Sequence, residues 1–196
     1  MQHNPTLRKL TIAAQDVALR APRAEDGAQV ARLVRASGAL DTNSLYCNLL
    51  QCTHFAQTCI LAERDGAALG WVSGYVPPQQ PDTLFVWQIC TSPEARGLGL
   101  AQAMIAGLLA RPSLAGIRHL ECSITRENTA SWRFFESVAR RLNAPMRSEE
   151  WLDRDRHLDG SHASERRVIL GPFAAQALPA AAAATSFEKV PHPQDA

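Results

Sequence analysis

Hydrophobic and polar residues alternate along the chain in two rhythms, one typical of strands and one typical of helices. Short apolar runs rich in β-branched and aromatic side chains, bounded by turn residues, predict strands. These runs lie at residues 17–20, 58–63, 68–75, 83–91, 119–125 and 166–170. Apolar residues spaced three and four apart predict helices. These lie at residues 24–37, 41–52, 99–111 and 129–142, the second being helical or only partly helical.

The order of these elements predicts an α/β domain with a mixed central sheet flanked by helices. Residues 64–66 are typical of a tight turn between antiparallel strands. The later strands alternate with helices, which favours parallel pairing. Residues 17–173 are therefore predicted to form one domain, between a loose tail at 1–16 and an alanine- and proline-rich flexible tail at 174–196.

The composition limits the classes of function to be considered. Hydrophobic residues make up 46% and charged residues 20% of the 196-residue chain, whose formal charge is +1. A chain so close to neutral is not expected to bind nucleic acid or an anionic membrane over a broad surface. We also expect no signal peptide and no membrane span, because no apolar stretch approaches the ~20 residues that a bilayer requires. The protein is predicted to be cytoplasmic.

The cysteines and histidines show no spacing typical of a metal site, so we predict no metal. The five cysteines are odd in number and lie mostly in apolar runs. This favours free, buried thiols in a reducing compartment over disulfides. Cys90 has apolar neighbours and is expected to be an inert thiol rather than a nucleophile.

Residues 96–101 join a predicted strand to a predicted helix through a loop of the pattern R-x-x-G-x-A. Free N–H groups at the helix N-terminus, the helix dipole and the Arg96 guanidinium together suit a pyrophosphate. The dinucleotide pattern GxGxxG lacks its third glycine here, and the nucleotide pattern GxxxxGK[ST] is absent. By itself the loop is equally consistent with a tight strand-to-helix turn.

The loop and its surroundings resemble the GNAT superfamily of N-acetyltransferases, whose acetyl-CoA signature is Q/R-x-x-G-x-G/A. The resemblance implies the GNAT fold, with splayed strands in a mixed central sheet, and acetyl-CoA as co-substrate. The residues it places at the cofactor are Ile89, Thr91, Arg96, Gly97, Leu98, Gly99, Ala101 and Asn128. Backbone groups of Ile89 and Thr91 would pair with the pantetheine arm, and Asn128 opens the last helix as the asparagine of the second GNAT motif commonly does.

Four further stretches, at residues 40–46, 52–56, 72–78 and 81–88, closely resemble the L-2,4-diaminobutyrate acetyltransferase family. That resemblance extends over about residues 17–173. It implies transfer of an acetyl group to the γ-amine of L-2,4-diaminobutyrate on the route to the compatible solute ectoine. It also leads us to expect a homodimer. The small amino acid would be the partner molecule that the protein binds.

A pocket for this amino acid needs anionic or acceptor groups and an aromatic wall. The candidates are Asp41, Asn43, Tyr46, Trp87 and His162. All of them except Asn43 also have a simpler interpretation. Asp41 is equally suited to cap a helix, Tyr46 and Trp87 to lie in the core, and His162 to lie in a solvated loop.

Acetyl transfer by direct attack needs a base for the amine and a donor for the departing thiolate. Asp41, Glu121 and Glu165 compete for the role of base. Many GNAT members carry a tyrosine about seven residues after the motif asparagine, but here Phe135 stands in that place and has no proton to give. Either Tyr46 acts as the acid, or water and the helix N-terminus suffice. Two other functions stay open: acetylation of a different small amine, and a non-catalytic CoA-binding sensor.

Overall fold

One central sheet organises the computed structural model, which describes residues 8–12, 15–38 and 40–174. Within these residues eight strands pair in the order β1-β2-β3-β4-β5-β6-β8-β7. The strands are β1 Arg8–Ile12, β2 Gln15–Arg20, β3 Ile60–Arg64, β4 Ala67–Tyr75, β5 Thr83–Thr91, β6 His119–Thr125, β7 Met146–Leu152 and β8 Glu165–Leu170. The β5–β6 pair is parallel and the other neighbours pair antiparallel, which confirms the predicted mixed sheet.

Helices cover both faces of this sheet. They are α1 Gly27–Ser37, α2 Leu45–Thr53, α3 Leu100–Leu109, α4 Thr129–Leu142 and the one-turn α5 Arg154–His157. On one side, the α3 face, α3 and α4 contribute to a large apolar core that includes Met104 and Leu120. On the other side, the α1 face, a smaller core forms around Val30 and Trp71.

The predicted elements lie close to the observed ones wherever an apolar face marks them. Thr83–Thr91, His119–Thr125 and Thr129–Leu142 have the predicted bounds. The predicted helix at 41–52 begins only at Leu45, because the Ser44 hydroxyl caps it by accepting the Cys47 N–H at 3.1 Å. Asp41 is therefore not the helix cap.

Two parts of the architecture differ from the prediction. The prediction of a loose N-terminal tail at 1–16 is wrong in part, because Arg8–Ile12 forms β1 and pairs with β2. The second difference is β7, an edge strand whose residues are mostly exposed and polar, so it lacks the alternation that marks a half-buried strand. Residues 1–7, 13–14 and 175–196 of the predicted tails lie outside the described residues.

A buried ion network holds the start of the domain together. The Arg20 guanidinium donates to both carboxylate oxygens of Asp26, at 2.6 and 2.8 Å, and to Glu63 on β3 at 2.9 Å. Burial alone would raise the pKa of Asp26, but the hydrogen bonds from Arg20 and from the Arg23 amide bring it below the ordinary 3.8. Because the pKa of Asp26 is lowered on folding, the stabilisation is fully present above pH 3.8. It is lost as the pH falls through the lower pKa of the folded state.

We predict that Arg20→Leu destabilises the fold by about 3 kcal/mol at neutral pH, because it leaves the Asp26 carboxylate buried and unpaired. Urea unfolding of both proteins measures the difference, which should shrink as the pH is lowered below 3.8. Arg32→Ala, at an exposed position on α1, is the control and should change stability by less than about 0.5 kcal/mol. Equal stability of the Arg20 variant and wild type would contradict the structural role.

Candidate active site

A cleft opens where β5 and β6 part. The two strands pair at Thr83, Leu84 and Phe85, and the last partner is Glu121. Beyond this point, in the part of the chain that the structure describes, β5 continues to Thr91 and β6 to Thr125 without pairing with each other. β5 stays paired with β4 along its other edge as far as Thr91. The edge of β5 that faces β6 is therefore left for another partner.

The direction of the β5 backbone groups follows from one hydrogen bond. The Ser92 N–H donates to the Leu69 carbonyl at 2.8 Å, so the backbone groups of residue 92 point toward β4. Successive residues of a strand point to opposite sides. The backbone groups of Ile89 and Thr91 therefore face the cleft, where an extended amide-containing arm can pair with them.

The loop after β5 closes one end of this cleft. Gly97 and Gly99 both have a φ of 74°, the left-handed region that glycine adopts without strain, and Gly99 is the N-cap of α3. The first N–H groups of α3 have no partner within the helix, and the exposed Arg96 stands beside them. Leu98 packs against the core, and Ala101, in the first turn, adds little bulk. These residues fit a pyrophosphate at the helix N-terminus.

The helix on the other side of the cleft, α4, begins at the end of β6. Asn128 is its N-cap, and its Oδ1 accepts the Ser131 N–H at 3.0 Å. The side chain that the sequence assigned to the cofactor thus holds the helix start, and a role in cofactor binding stays a prediction. Phe135 is 3% exposed within the core, so its position offers no proton donor.

An extra residue in β5 reverses the sheet face on which the later side chains of this strand lie. The β4–β5 register shifts between Ser73, opposite Gln88, and Gly74, opposite Val86, which leaves Trp87 as the unpaired residue of a β-bulge. A Cβ on Gly74 would lie 2.6 Å from the Phe85 carbonyl oxygen, so only glycine fits opposite the bulge. Before the bulge Val86 lies on the α3 face, and after it Cys90 lies on the α1 face.

An aromatic cluster lies on the α1 face next to the opening of the cleft. We define it as Phe55, Tyr75, Phe85, Trp87 and Trp151. The Tyr75 ring lies 5.2 Å from the ring of Phe85, and 6.5 Å from those of Trp87 and of Phe55. Trp151 of β7 contacts Phe85 at 5.8 Å. Trp87 is 48% exposed, so the interpretation of this residue as core is wrong.

Glu121 and Arg167 form an ion pair beside this cluster. Glu121 pairs with Phe85 in register and is 5% exposed, and its Oε2 accepts from Arg167 Nη2 at 2.6 Å. The same Nη2 donates to Gln80 at 3.2 Å, which connects the 77–81 loop to the pair. The hydrogen bond to Glu121 raises the pKa of the Arg167 guanidinium above its ordinary value.

Glu165 lies further along the same sheet face. It pairs with Thr125 at the end of β6, and its carboxylate accepts the Ser123 hydroxyl. His162 lies in an exposed loop and borders a shallow depression with Arg126 and Arg154 rather than the aromatic cluster. The structure thus brings Glu121, Glu165 and Trp87 to one face and leaves His162 to the side.

The acceptor candidates in and just before α2 differ in whether they contact the sheet. Tyr46 is 70% exposed on the first turn of α2, so it is not a core aromatic residue. Asp41 is exposed, while its backbone carbonyl accepts from Gln88 Nε2 at 2.8 Å. Asn43 Nδ2 donates to Gln88 Oε1 at 2.9 Å. The side-chain amide of Asn43 is therefore engaged with the sheet.

Several residues of this region were not predicted as site residues from the sequence. They include Tyr75, Gln88, Trp151 and Arg167. Tyr75 and Gln88 carried a usable signal, because each lies in a stretch that resembles the diaminobutyrate acetyltransferase family. Trp151 and Arg167 carried none, since their place depends on how β7 and β8 pair.

Cys90 shows no sign of nucleophilic chemistry. It is 8% exposed, and burial raises the pKa of its thiol to about 12. The thiolate that a nucleophile requires is therefore disfavoured at neutral pH. Among the residues that the structure describes, no group of three or more His, Cys, Asp or Glu is arranged to hold a metal ion. None of the described helices combines the length and apolar character needed to cross a bilayer.

Comparison with known proteins agrees with this geometry. The sequence model of the acetyltransferase (GNAT) family matches residues 33–139, more than half of the chain. The L-2,4-diaminobutyric acid acetyltransferase of Methylotuvimicrobium alcaliphilum is 46% identical over 159 residues, which cover 81% of this chain and 92% of that protein. The enzyme of the same name from Chromohalobacter salexigens is 41% identical over 165 residues, covering 84% and 85%.

A solved structure gives the same result in three dimensions. The diaminobutyrate acetyltransferase of Paenibacillus lautus, in complex with its substrate L-2,4-diaminobutyric acid and coenzyme A, superposes with a TM-score of 0.77 at 36% identity. The match covers 81% of this chain and 96% of that one. The GNAT fold and the family resemblance expected from the sequence are confirmed.

Proposed function

This chain belongs to the acetyltransferase (GNAT) family and, within it, to the L-2,4-diaminobutyric acid acetyltransferases, and we propose on that basis which reaction it catalyses. The enzyme transfers the acetyl group of acetyl-CoA to the γ-amine of L-2,4-diaminobutyrate. The product, N-γ-acetyl-diaminobutyrate, serves the synthesis of the osmoprotectant ectoine.

One observation carries this proposal: the cofactor edge and the acceptor face meet at a single point of β5. The Ile89 and Thr91 backbone groups face the cleft, while Trp87, in the bulge just before them, is exposed beside the aromatic cluster. An amine held against Trp87 is thus adjacent to the strand that binds the thioester arm. Aromatic rings with nearby carboxylates suit an ammonium-bearing substrate.

The proton of the attacking amine needs an acceptor, and we assign that role to Glu121. Its carboxylate lies at the point where β5 and β6 separate, next to Phe85 and on the face of the aromatic cluster. Arg167 holds it in place from β8. Glu165 of β8 lies opposite Thr125, at the other end of β6 from this point, and the Asp41 side chain is exposed on the loop before α2. Either carboxylate can still contribute by binding the ammonium groups.

The test follows thiol release from acetyl-CoA in the presence of L-2,4-diaminobutyrate. Wild type should release thiol, and Glu121→Gln should lower kcat by about 100-fold while still binding CoA, since a positioned base contributes about that much. Glu149→Gln is the matched control, because Glu149 contacts the same arginine at 3.4 Å from an exposed edge strand. Intact CoA binding without thiol release in wild type would favour a sensor. Faster release with a polyamine or an aminoglycoside would favour another acceptor.

The departing thiolate needs a proton, and Tyr46 stays our predicted donor. Tyr75, the other tyrosine of the chain, is the alternative that the structure adds. Burial and the negative charge of Glu121 raise the pKa of the Tyr75 hydroxyl above its ordinary value of 10, so it keeps its proton at neutral pH.

We predict that Tyr46→Phe lowers kcat by about 100-fold with a smaller change in KM. Tyr75→Phe is the comparison, because phenylalanine preserves the ring contacts of the aromatic cluster and removes only the hydroxyl. Steady-state kinetics of both variants decides between them. An unchanged kcat for Tyr46→Phe together with a fall for Tyr75→Phe would transfer the role to Tyr75.

We also infer that the enzyme acts as a homodimer. Three large apolar side chains in and just after α2 are exposed, and such groups favour association: Leu45 at 52%, Tyr46 at 70% and Phe55 at 41%. Light scattering should give twice the 21.4 kDa mass of the chain, and a monomer at micromolar concentration would contradict the inference.

A cytoplasmic location is supported by the thiols. All five cysteines are free, and Cys52, Cys59, Cys90 and Cys122 are buried. A reducing compartment keeps such thiols free. Labelling of unfolded, unreduced protein should therefore modify every cysteine, and a missing label would argue against this location.

A further inference from the structure

One buried side chain on the cofactor strand touches the segment expected to bind the acceptor. Gln88 follows the bulge residue Trp87 and is 5% exposed. Its Nε2 donates to the Asp41 carbonyl at 2.8 Å, and its Oε1 accepts from Asn43 Nδ2 at 2.9 Å. We refer to these two hydrogen bonds as the amide bridge.

The bulge is what aims Gln88 in this direction. Leu84 and Val86 lie on the α3 face, and strict alternation would place residue 88 on that same face. The unpaired Trp87 shifts the alternation by one residue, so Gln88 and then Cys90 face α1 and α2. One local irregularity therefore exposes Trp87 and turns the amide of its neighbour toward residues 41–43.

A glutamine at this buried position has a specific use. Burying an amide is unfavourable unless hydrogen bonds satisfy it, and an apolar side chain would suit the packing of the strand better. Residues 41–43 form no helix or strand and precede Ser44, the N-cap of α2. Within the described residues, the amide bridge supplies the hydrogen bonds that connect this stretch to the sheet.

We propose that Gln88 is a positioning residue that fixes the distance between the cofactor strand and the acceptor-binding segment. By holding the Asp41 backbone and Asn43, it sets the Asp41 carboxylate and the first turn of α2, with Tyr46, relative to Trp87. Acetyl transfer needs the amine aligned with the thioester, and a displacement of about 1 Å can lower the rate about 100-fold. Asn43 then acts through Gln88 and not by touching the substrate. This inference rests on the proposed function for its effect on catalysis, although the amide bridge itself does not.

Three substitutions distinguish the contributions of the two hydrogen bonds. Gln88→Leu removes both. Gln88→Glu keeps an acceptor for Asn43 but sets a carboxylate oxygen against the Asp41 carbonyl. Asn43→Ala removes only the bond to Oε1. The control is Asn48→Ala, a buried amide of α2 whose Nδ2 donates to Gln51 of the same helix at 3.2 Å and connects nothing to β5.

Kinetics and hydrogen exchange give the two measurements. For Gln88→Leu we expect kcat/KM for diaminobutyrate to fall about 100-fold, with KM for acetyl-CoA unchanged. Asn43→Ala should lower kcat/KM by about fivefold, the effect of one neutral hydrogen bond. Backbone amides of residues 40–48 should exchange faster in both variants, while those of β5 keep their protection. Asn48→Ala should lose thermal stability without changing either KM.

Each result has a definite meaning. Unchanged exchange over residues 40–48 in Gln88→Leu would overturn the amide bridge as a positioning device, whatever the substrate. Faster exchange with an unchanged kcat/KM for diaminobutyrate would overturn its role in catalysis. A wild-type enzyme that does not acetylate diaminobutyrate would count against the proposed function, and the exchange measurement would still decide the bridge. Equal kinetic losses in Asn48→Ala would show that general destabilisation explains the effect.

Discussion

The site depends on the backbone of β5, which pairs with β4 from Phe85 to Thr91 but with β6 at only three of its nine residues. β4 pairs with β5 as far as Thr91, whereas β6 leaves it after Phe85. Strand N–H and C=O groups without a partner are costly when water is excluded, so the open edge favours a ligand with amides of its own. The parting of β5 and β6 thus defines both a cleft and the chemistry that fills it.

The bulge at Trp87 couples this edge to the opposite sheet face. With ordinary alternation, β5 would direct each side chain beyond Val86 to the opposite sheet face, and the amide of Gln88 would face α3. One inserted residue shifts the register with β4, which resumes at Gln88, and moves the side chains of Gln88 and Cys90 to the face of α1 and α2. Gly74 makes this possible, because any Cβ there would collide with the Phe85 carbonyl. The proposed cofactor edge and the proposed acceptor face consequently meet at a few consecutive residues of β5.

How far the sequence predicts this arrangement depends on the range of the interactions involved. The proposed phosphate loop is a local feature of residues 96–101, and Gly97 and Gly99 have the left-handed conformation that the pattern favours. The strands and helices with an apolar face could equally be predicted from the local sequence. The bulge was not, because it exists only relative to β4, and neither was the contact between Asn43 and Gln88, 45 positions apart.

The residues and elements that were predicted wrongly also depend on interactions beyond their local sequence. Asp41 and Ser44 are both good helix caps by residue type, but the helix begins at Leu45, so Ser44 is the cap. β7 is polar along most of its length, so only its pairing with β8 reveals it as a strand. Trp151 reaches the aromatic cluster from that strand, and its role could not be read from the surrounding residues.

The order of the last strands shows why a carboxylate can be buried at this point. Glu121 is almost inaccessible to solvent, and an unpaired charge there would be strongly destabilising. Its partner Arg167 lies on β8, which is inserted between β6 and β7 although it follows β7 in the chain. If β7 were the neighbour of β6, the cation would lie one strand further away. This strand order therefore places Arg167 beside the carboxylate. The same arginine donates to Gln80 of the loop that borders the site. Topology, charge pairing and the position of the proposed base are parts of one arrangement.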